Sequence, residues 1–379
     1  MGGAEKILLE ILEMLNGDGH ETVLYTLDRT DWGRIKEKWG IETGPSVEHY
    51  YMKDQTSPDN ALDWTVSAGL YLWMLWRAQQ EEGITLNNYG EVFPFISDIS
   101  YVHGHPLFSE GETNQYGLPL WPYSKWLYMR LYDGFSERLS SVLIANSSYT
   151  ANIIEAVTGK TPEIVYPFVE QVKAKMYKTG NVLTVSRITH GKNLNLLFDV
   201  AAQSRGTRFI IAGTASSNAL DLVRELSKAR RFRFHLNPSK EDIHGLMAES
   251  SIYFSTQPSE TFGMAIVEAM SAGFVPLVYR NGVPWHDILD REERVGMAYV
   301  TADEASQKIR KVMEDEDLRE TMRRRSIESS KAFSVDRFRS SMRSVLESME
   351  PRSRSSSKAL DLLEKINKRK KELGLNRRL

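Results

Sequence analysis

The chain has 379 residues, enough for two domains that each bury a core of their own. With 41% hydrophobic and 26% charged residues it is neither disordered nor membrane-embedded, and without cysteine it has no disulfide or thiolate metal site, which points to a reducing cytoplasm. The net charge is -2, but residues 351–379 hold ten Lys and Arg against three Asp and Glu, so a basic tail follows an acidic body. Such a tail reads as a solvated helix, a contact with an anionic membrane or a nucleic-acid contact. The first residues, MGGAEK, have no charged and apolar leader and carry Lys6 where a myristoylation signal needs Ser or Thr. The most apolar run, LYLWMLW at 70–76, is too short to span a bilayer.

In chain order, a helix is expected over 4–16, a strand over 21–27 (ETVLYTL) and a helix over about 59–82. The strand DISYVH (98–103), a helix over 119–139, the strand SVLIANS (141–147), a helix over 149–158 and the strand EIVYP (163–167) follow. The rhythm is then regular. NVLTVS (181–186), RFIIAG (208–213), RFRFHL (231–236), SIYFST (251–256) and FVPLVY (274–279) read as strands, with helices over 193–204 and 218–229 between some of them. Buried strands alternating with helices predict an α/β chain with parallel, doubly wound sheets.

Pro167 and the Lys-rich stretch after it place a boundary near 168–178. The expected organisation is a domain over 1–170, a second over 171–333, a helix over 334–350 packing back toward the first domain, and the tail. A doubly wound sheet begins with a strand that feeds a glycine turn. Here Gly2 and Gly3 directly follow Met1, so the N-terminal sheet is expected to lack its first strand. Either the start lies upstream or another segment fills the gap.

Two stretches carry candidate chemistry. In SETFGMAIVEAMSAG (259–273), Glu260 and Phe262 fall in a strand-to-helix turn, Gly263 opens the helix, and Glu268 sits one turn in. Bare N–H groups and the positive dipole end suit a phosphate, and Glu268 could reach sugar or ribose hydroxyls. The simpler reading is an acid that complements the helix dipole. Ala265, Ala269 and Ala272 form a small-residue stripe that allows close approach to the sheet or a ligand. In VSRITHGKN, Arg187 and Lys192 occupy the loop after a strand. A planar fork beside a point charge suits a diphosphate; alone, the pair would be two surface cations. EDED (314–317) reads as a solvated helical face, and Asn146 with Ser147 and Ser148 as a helix cap.

SETFGMAIVEAMSAGFVP resembles the E-x7-E signature of retaining, family-4 glycosyltransferases of GT-B fold, and SRITHGKN their Arg/Lys loop. GGAE before GHE resembles their N-terminal glycine loop and second strand. YVHGHP, ANSSYT and IVYPFV are most similar to the α-1,2-mannosyltransferases that extend lipid-linked oligosaccharides from GDP-mannose. The resemblance covers most of residues 1–349. It implies two Rossmann-like domains facing a cleft, the first binding acceptor and the second binding nucleotide-sugar. It also implies that Arg187 and Lys192 grip the donor diphosphate, and that Glu260 with the amides of Phe262, Gly263 and Met264 holds the sugar and its phosphate. Glu268 would bind the ribose. His103 would face the donor sugar, with His105 as the second choice, and Gly2 and Gly3 would let the first loop approach phosphates or acceptor.

The pattern offers no carboxylate nucleophile, so a front-face displacement is expected, with no essential metal. The donor would be GDP-mannose or a UDP-sugar, and the acceptor a glycan or lipid-linked hydroxyl. LYLWMLWR (70–77) and WPYSKWLYMRLY (121–132) set aromatic rings beside cations, which suits a lipid headgroup layer; the simpler reading is core packing. A cytoplasmic protein, peripheral on the membrane face and without a nucleic-acid partner, is the leading expectation. A transferase for a soluble sugar acceptor and a non-catalytic glycan-binding scaffold are the competing ones.

Overall fold

The computed structural model describes residues 3–41, 44–52, 61–91, 96–104, 142–172, 180–189, 192–204, 206–215, 220–228, 231–258 and 260–351. Gly2, His105, the helix expected over 119–139, the aromatic stretch at 121–132 and the tail after residue 351 lie outside the described residues. Two units divide the chain. The first comprises residues up to Ala145, Ile153–Val165 and the residues from Arg339 onward; the second comprises Asn146–Asn152 and Tyr166–Phe338.

The first unit contains α1 (Gly3–Gly17), β1 (Val23–Asp28), α2 (Trp32–Trp39), β2 (Val47–Met52), α3 (Ala61–Ala78), β3 (Leu86–Asn87), β4 (Ile99–Val102) and β5 (Val142–Ala145). Most of α4 (Ser148–Thr158) and β6 (Glu163–Ile164) complete it. Ile7, Ile11 and Met14 recur at helical spacing and bury one face of α1. Asp31 caps α2 by accepting the Arg34 N–H at 3.0 Å, and Gly40, with φ 68°, ends it. Among the described residues the strands form two parallel sheets: β1 pairs with β2, and β3-β4-β5-β6 form the other. Glu10 and Asp18 of α1 form ion pairs with Arg339 and Arg343 of the last helix.

The second unit is regular. Its strands are β7 (Asn181–Val185), β8 (Phe209–Gly213), β9 (Phe232–Leu236), β10 (Ser250–Phe254), β11 (Val275–Tyr279) and β12 (Met297–Tyr299). Its helices are α5 (Leu196–Gln203), α6 (Leu220–Ser227), α7 (Lys240–Ala248), α8 (Met264–Ser271), α9 (Ala302–Glu314) and α10 (Glu316–Ser330), before α11 (Val335–Glu347). The six strands are parallel and ordered β9-β8-β7-β10-β11-β12, the doubly wound 3-2-1-4-5-6 arrangement. Val182 and Leu183 on β7, like Phe209 and Ile210 on β8, enter opposite core layers. Alternate side chains leave opposite faces of a strand, so a sheet covered on both faces needs apolar residues at consecutive positions.

Acidic residues at 314–317 do not make one helical face. Glu314 ends α9, and Asp315 breaks the helix and caps α10 by accepting the Leu318 N–H at 2.9 Å. All four side chains are solvated. Among the described residues no helix is long and apolar enough to cross a membrane.

Candidate functional site

In the second unit, the strand order reverses between β7 and β10, and the loops leaving their C-terminal ends are those that carry the cations and Glu260. A crevice opens at such a switch point because the two connections depart to opposite sides of the sheet. The cavity found there holds about 200 Å³ and is lined by Arg187, Lys192, Gln257, Glu260, Gly263 and Met264, among others.

Close backbone packing builds this edge. The bridge between Ile188 and Ala215 carries the strand pairing past β7. A Cβ on Gly213 would fall 1.7 Å from the Ser186 carbonyl oxygen, so only glycine fits where β8 passes the start of the cation loop. Asn193, at φ 50°, turns that loop into α5 and donates from Nδ2 to the Thr256 carbonyl at 3.1 Å. In return Thr256 Oγ1 donates to the Lys192 carbonyl at 2.6 Å. These reciprocal bonds hold the loop after β7 against the loop after β10.

Their result is the placement of Lys192. Its Nζ lies 3.1 Å from Gln257 Oε1 and 3.4 Å from Glu260 Oε2. Both charged side chains keep about a fifth of their surface exposed, at 22% and 23%, so the pair is screened yet open to a ligand. Among the described residues the exposed Arg187 forms no ion pair. Gly263 adopts φ 95° at the N-cap of α8, and no side chain caps that end. The helix therefore presents N–H groups and its positive dipole end toward the cavity. The arrangement can take an anion on the Arg187, Lys192 and α8 side and hydroxyl groups on the Glu260 carboxylate.

Five expected site residues thus converge: Arg187, Lys192, Glu260, Gly263 and Met264. Phe262 turns its ring inward against Tyr166 and Phe333, with centroids 6.4 and 5.6 Å away. Glu268, partly buried on α8, is outside the cavity wall. Ala269 and Ala272 are fully buried, so the small-residue stripe serves close packing of α8. Gly273, at φ 90°, ends α8 with its own N–H on Met270 and that of Phe274 on Ala269. Gly3 begins α1 and His103 follows β4, both in the first unit. Burial pushes the His103 imidazole down to about 4, so it is neutral near pH 7.

Some supporting residues escaped sequence reasoning. Gln257 shares Lys192 with Glu260. Asn146, expected as a helix cap, instead donates from Nδ2 to the Thr261 carbonyl at 3.1 Å, inside the Glu260 turn. Capping of α4 falls to Ser147, whose Oγ accepts the Thr150 N–H at 3.0 Å, and to Asp287, whose carboxylate accepts the N–H groups of Ser148 and Tyr149. No local signal marks Gln257 or Asp287. Among the described residues, no group of three or more His, Asp or Glu is placed to hold a metal ion.

Residues 168–329 match the family described as Glycosyl transferases group 1. The chain is 24% identical over 249 residues to a Dictyostelium discoideum GDP-Man:Man(3)GlcNAc(2)-PP-Dol alpha-1,2-mannosyltransferase, a match covering 57% of this chain and 49% of the relative. It is 29% identical over 166 residues to a Komagataeibacter xylinus GDP-mannose:cellobiosyl-diphosphopolyprenol alpha-mannosyltransferase, covering 41% of this chain and 42% of that one. The chain therefore matches less than half the length of each relative. The crystal structure of Anabaena Alr3699/HepE in complex with UDP and glucose superposes with a TM-score of 0.69 at 19% identity, over 92% of this chain and 96% of that one. The shared fold is GT-B, and the match to the group 1 glycosyl transferases lies within residues 168–329 of this chain.

Proposed function

We propose that the protein is a retaining glycosyltransferase that moves mannose from GDP-mannose to a hydroxyl of a glycan carried on a lipid diphosphate. The observation that carries this reading is the Lys192–Glu260 pair at the strand switch point, beside the exposed Arg187 and the glycine-capped N-terminus of α8. The names of the two mannosyltransferase relatives supply the sugar and the class of acceptor.

In this reading the donor diphosphate lies between the cation loop and the start of α8. As the bond from the sugar's anomeric carbon to the β-phosphate oxygen breaks, its electron pair and negative charge pass to the diphosphate. Arg187, Lys192 and the amides at Gly263 and Met264 are already in place to stabilise that charge, each strong donor being worth roughly 3 kcal/mol. Glu260 accepts hydrogen bonds from the sugar hydroxyls, and Glu268 from the ribose. The acceptor oxygen bonds to the anomeric carbon on the face the diphosphate leaves, and its proton goes to the departing phosphate oxygen. The family resemblance gives His103 a part at the donor sugar. Because the Arg187 and Lys192 cations and the backbone N–H donors stabilise the diphosphate, the reaction needs no metal, and saturating EDTA should leave turnover unchanged.

Peripheral binding to an anionic membrane face fits α3, where Leu72, Trp73 and Trp76 are exposed ahead of Arg77 in the last turn. The decisive measurement is release of GDP from GDP-mannose with a polyprenol-diphosphate glycan as acceptor. No nucleoside diphosphate released from any GDP- or UDP-sugar would leave a glycan-binding scaffold as the better account. Turnover confined to water-soluble acceptors would remove the lipid.

A further inference from the structure

At the C-terminal end of β4, three separate segments of the first unit meet around one buried amide. Asn88 Nδ2 donates to the Ala4 carbonyl, in the first turn of α1, at 2.9 Å. A carbonyl oxygen only accepts, so the nitrogen end of this amide must face α1. That settles the other end: Oδ1 is the atom 3.4 Å from His103 Nε2. The contact is long, so it carries polarity more than energy. Its polarity is nonetheless one-sided, because an unprotonated Nε2 would set its lone pair against those of Oδ1.

Other contacts fix where the imidazole can go. The ring lies on Tyr101, with centroids 4.5 Å apart, and Tyr101 is anchored by its hydroxyl on the Val165 carbonyl at 2.6 Å. Glu91 Oε2 accepts the His103 main-chain N–H at 3.2 Å. Gly90 donates its N–H to the Tyr101 carbonyl at 2.8 Å, and a Cβ there would lie 2.6 Å from that oxygen. The turn that carries Asn88 and Glu91 is therefore pressed onto the end of β4. Tyr89 reaches Glu5 of α1 from the same turn at 3.0 Å. A neutral histidine holds one proton on either of two nitrogens, and a neighbour of fixed polarity decides which.

We propose that Asn88 is a positioning residue that holds His103 as its Nε2–H tautomer and ties the orientation of that ring to the first turn of α1. The value of this placement for transfer rests on the function proposed above; the tautomer itself does not.

The test uses the full chain labelled with ¹⁵N-histidine and long-range ¹H–¹⁵N spectra at about pH 7.5, the His103 signals being assigned by their loss in His103→Gln. Wild type should give the Nε2–H pattern. Asn88→Ala should give a mixed or Nδ1–H pattern, with kcat for GDP-mannose down roughly tenfold or more and KM changed less than about twofold. Asn88→Asp keeps an acceptor for the ring while losing the donor to Ala4. It should retain the Nε2 proton and raise the His103 pKa. An Nδ1–H pattern in wild type, or an unchanged His103 pattern in Asn88→Ala, overturns the proposal. If Asn88→Ala does not fold by circular dichroism, the wild-type and Asn88→Asp spectra decide. Wild-type turnover in His103→Gln would instead overturn the part given to that histidine in transfer, leaving the spectra to decide the tautomer alone.

Discussion

The two units use the same parallel α/β grammar to opposite ends. In the second, six strands form one sheet, two apolar layers cover it, and polar chemistry is confined to loops at its C-terminal edge. In the first, the strands are split between two sheets, and β3 and β6 are only two residues long. Polar side chains such as Asn87, Asn88, Asp98 and Ser100 are buried there, while Val23, Tyr50 and Trp73 are exposed. Loops on a rigid sheet hold a fixed ligand geometry, whereas a broken sheet with buried polar bonds and exposed rings leaves surface for varied contacts. The contrast teaches that here the proposed anion site rides on regular structure, and the surroundings of His103 on long-range polar bonds.

The sharpest way to break this comparison is at the second unit's edge. Lys192→Ala and Glu260→Ala should each lower turnover by about two to three orders of magnitude. Both side chains are partly exposed, so melting temperatures should stay within a few degrees. Steady-state kinetics beside thermal melts checks this, and rates near wild type would strip the residue of its assigned part.

Next come the two glycines that permit close backbone crossings, one in each unit. Gly213→Ala drives a Cβ into a carbonyl at 1.7 Å and Gly90→Ala at 2.6 Å. Both should destabilise, by about 3 kcal/mol or more for Gly213→Ala and less for Gly90→Ala. Denaturant unfolding would show the order, and equal losses would mean that the second unit's edge is no more rigid than the first's.

A pH-dependent effect separates the units further. Burial holds the Glu91 carboxyl at about 7, above its ordinary 4.5. Between those values the folded chain keeps a proton that the unfolded chain has released. The Glu91 contribution to stability therefore falls as pH rises through that window, by up to about 3 kcal/mol, and is level above it. Glu91→Gln cannot ionise and still offers the His103 N–H an acceptor. It should match wild type near pH 4.5 and melt higher near pH 8; equal melting temperatures near pH 8 would refute the raised carboxyl.

The smallest effect on stability is expected at the exposed rings. Trp73 is 44% exposed, and its ring meets Tyr51 edge-on at 4.8 Å. Trp73→Ala together with Trp76→Ala should cost about 1–2 kcal/mol in stability yet weaken binding to anionic vesicles several-fold. Unchanged partitioning in a sedimentation assay would return these rings to packing alone.

Much of the second unit was legible before any coordinates. Short runs rich in β-branched and aromatic residues, bounded by turn signals, mark β7, β8, β10 and β11, because a strand covered on both faces needs apolar side chains at consecutive positions. Arg187, Lys192, Glu260 and Gly263 were legible because each lies just past such a run. The first unit resisted. A strand of two residues has no periodicity to read, and α2 with β2 went unmarked between weaker signals.

By itself, then, the sequence determined the α/β class, the strands of the second unit, the cation loop and the acid-bearing turn. Those features are written in local spacing, which acts over a few residues. Only the tertiary structure decided that Gln257 shares Lys192 across 65 residues, that Asn146 braces the Glu260 turn across 115, and that Asp287 caps a helix 139 residues earlier. It alone brought Asn88 between α1 and His103, 84 residues from Ala4. A polar side chain finds its partner by packing, and packing pairs residues by their distance in space, not by their order along the chain.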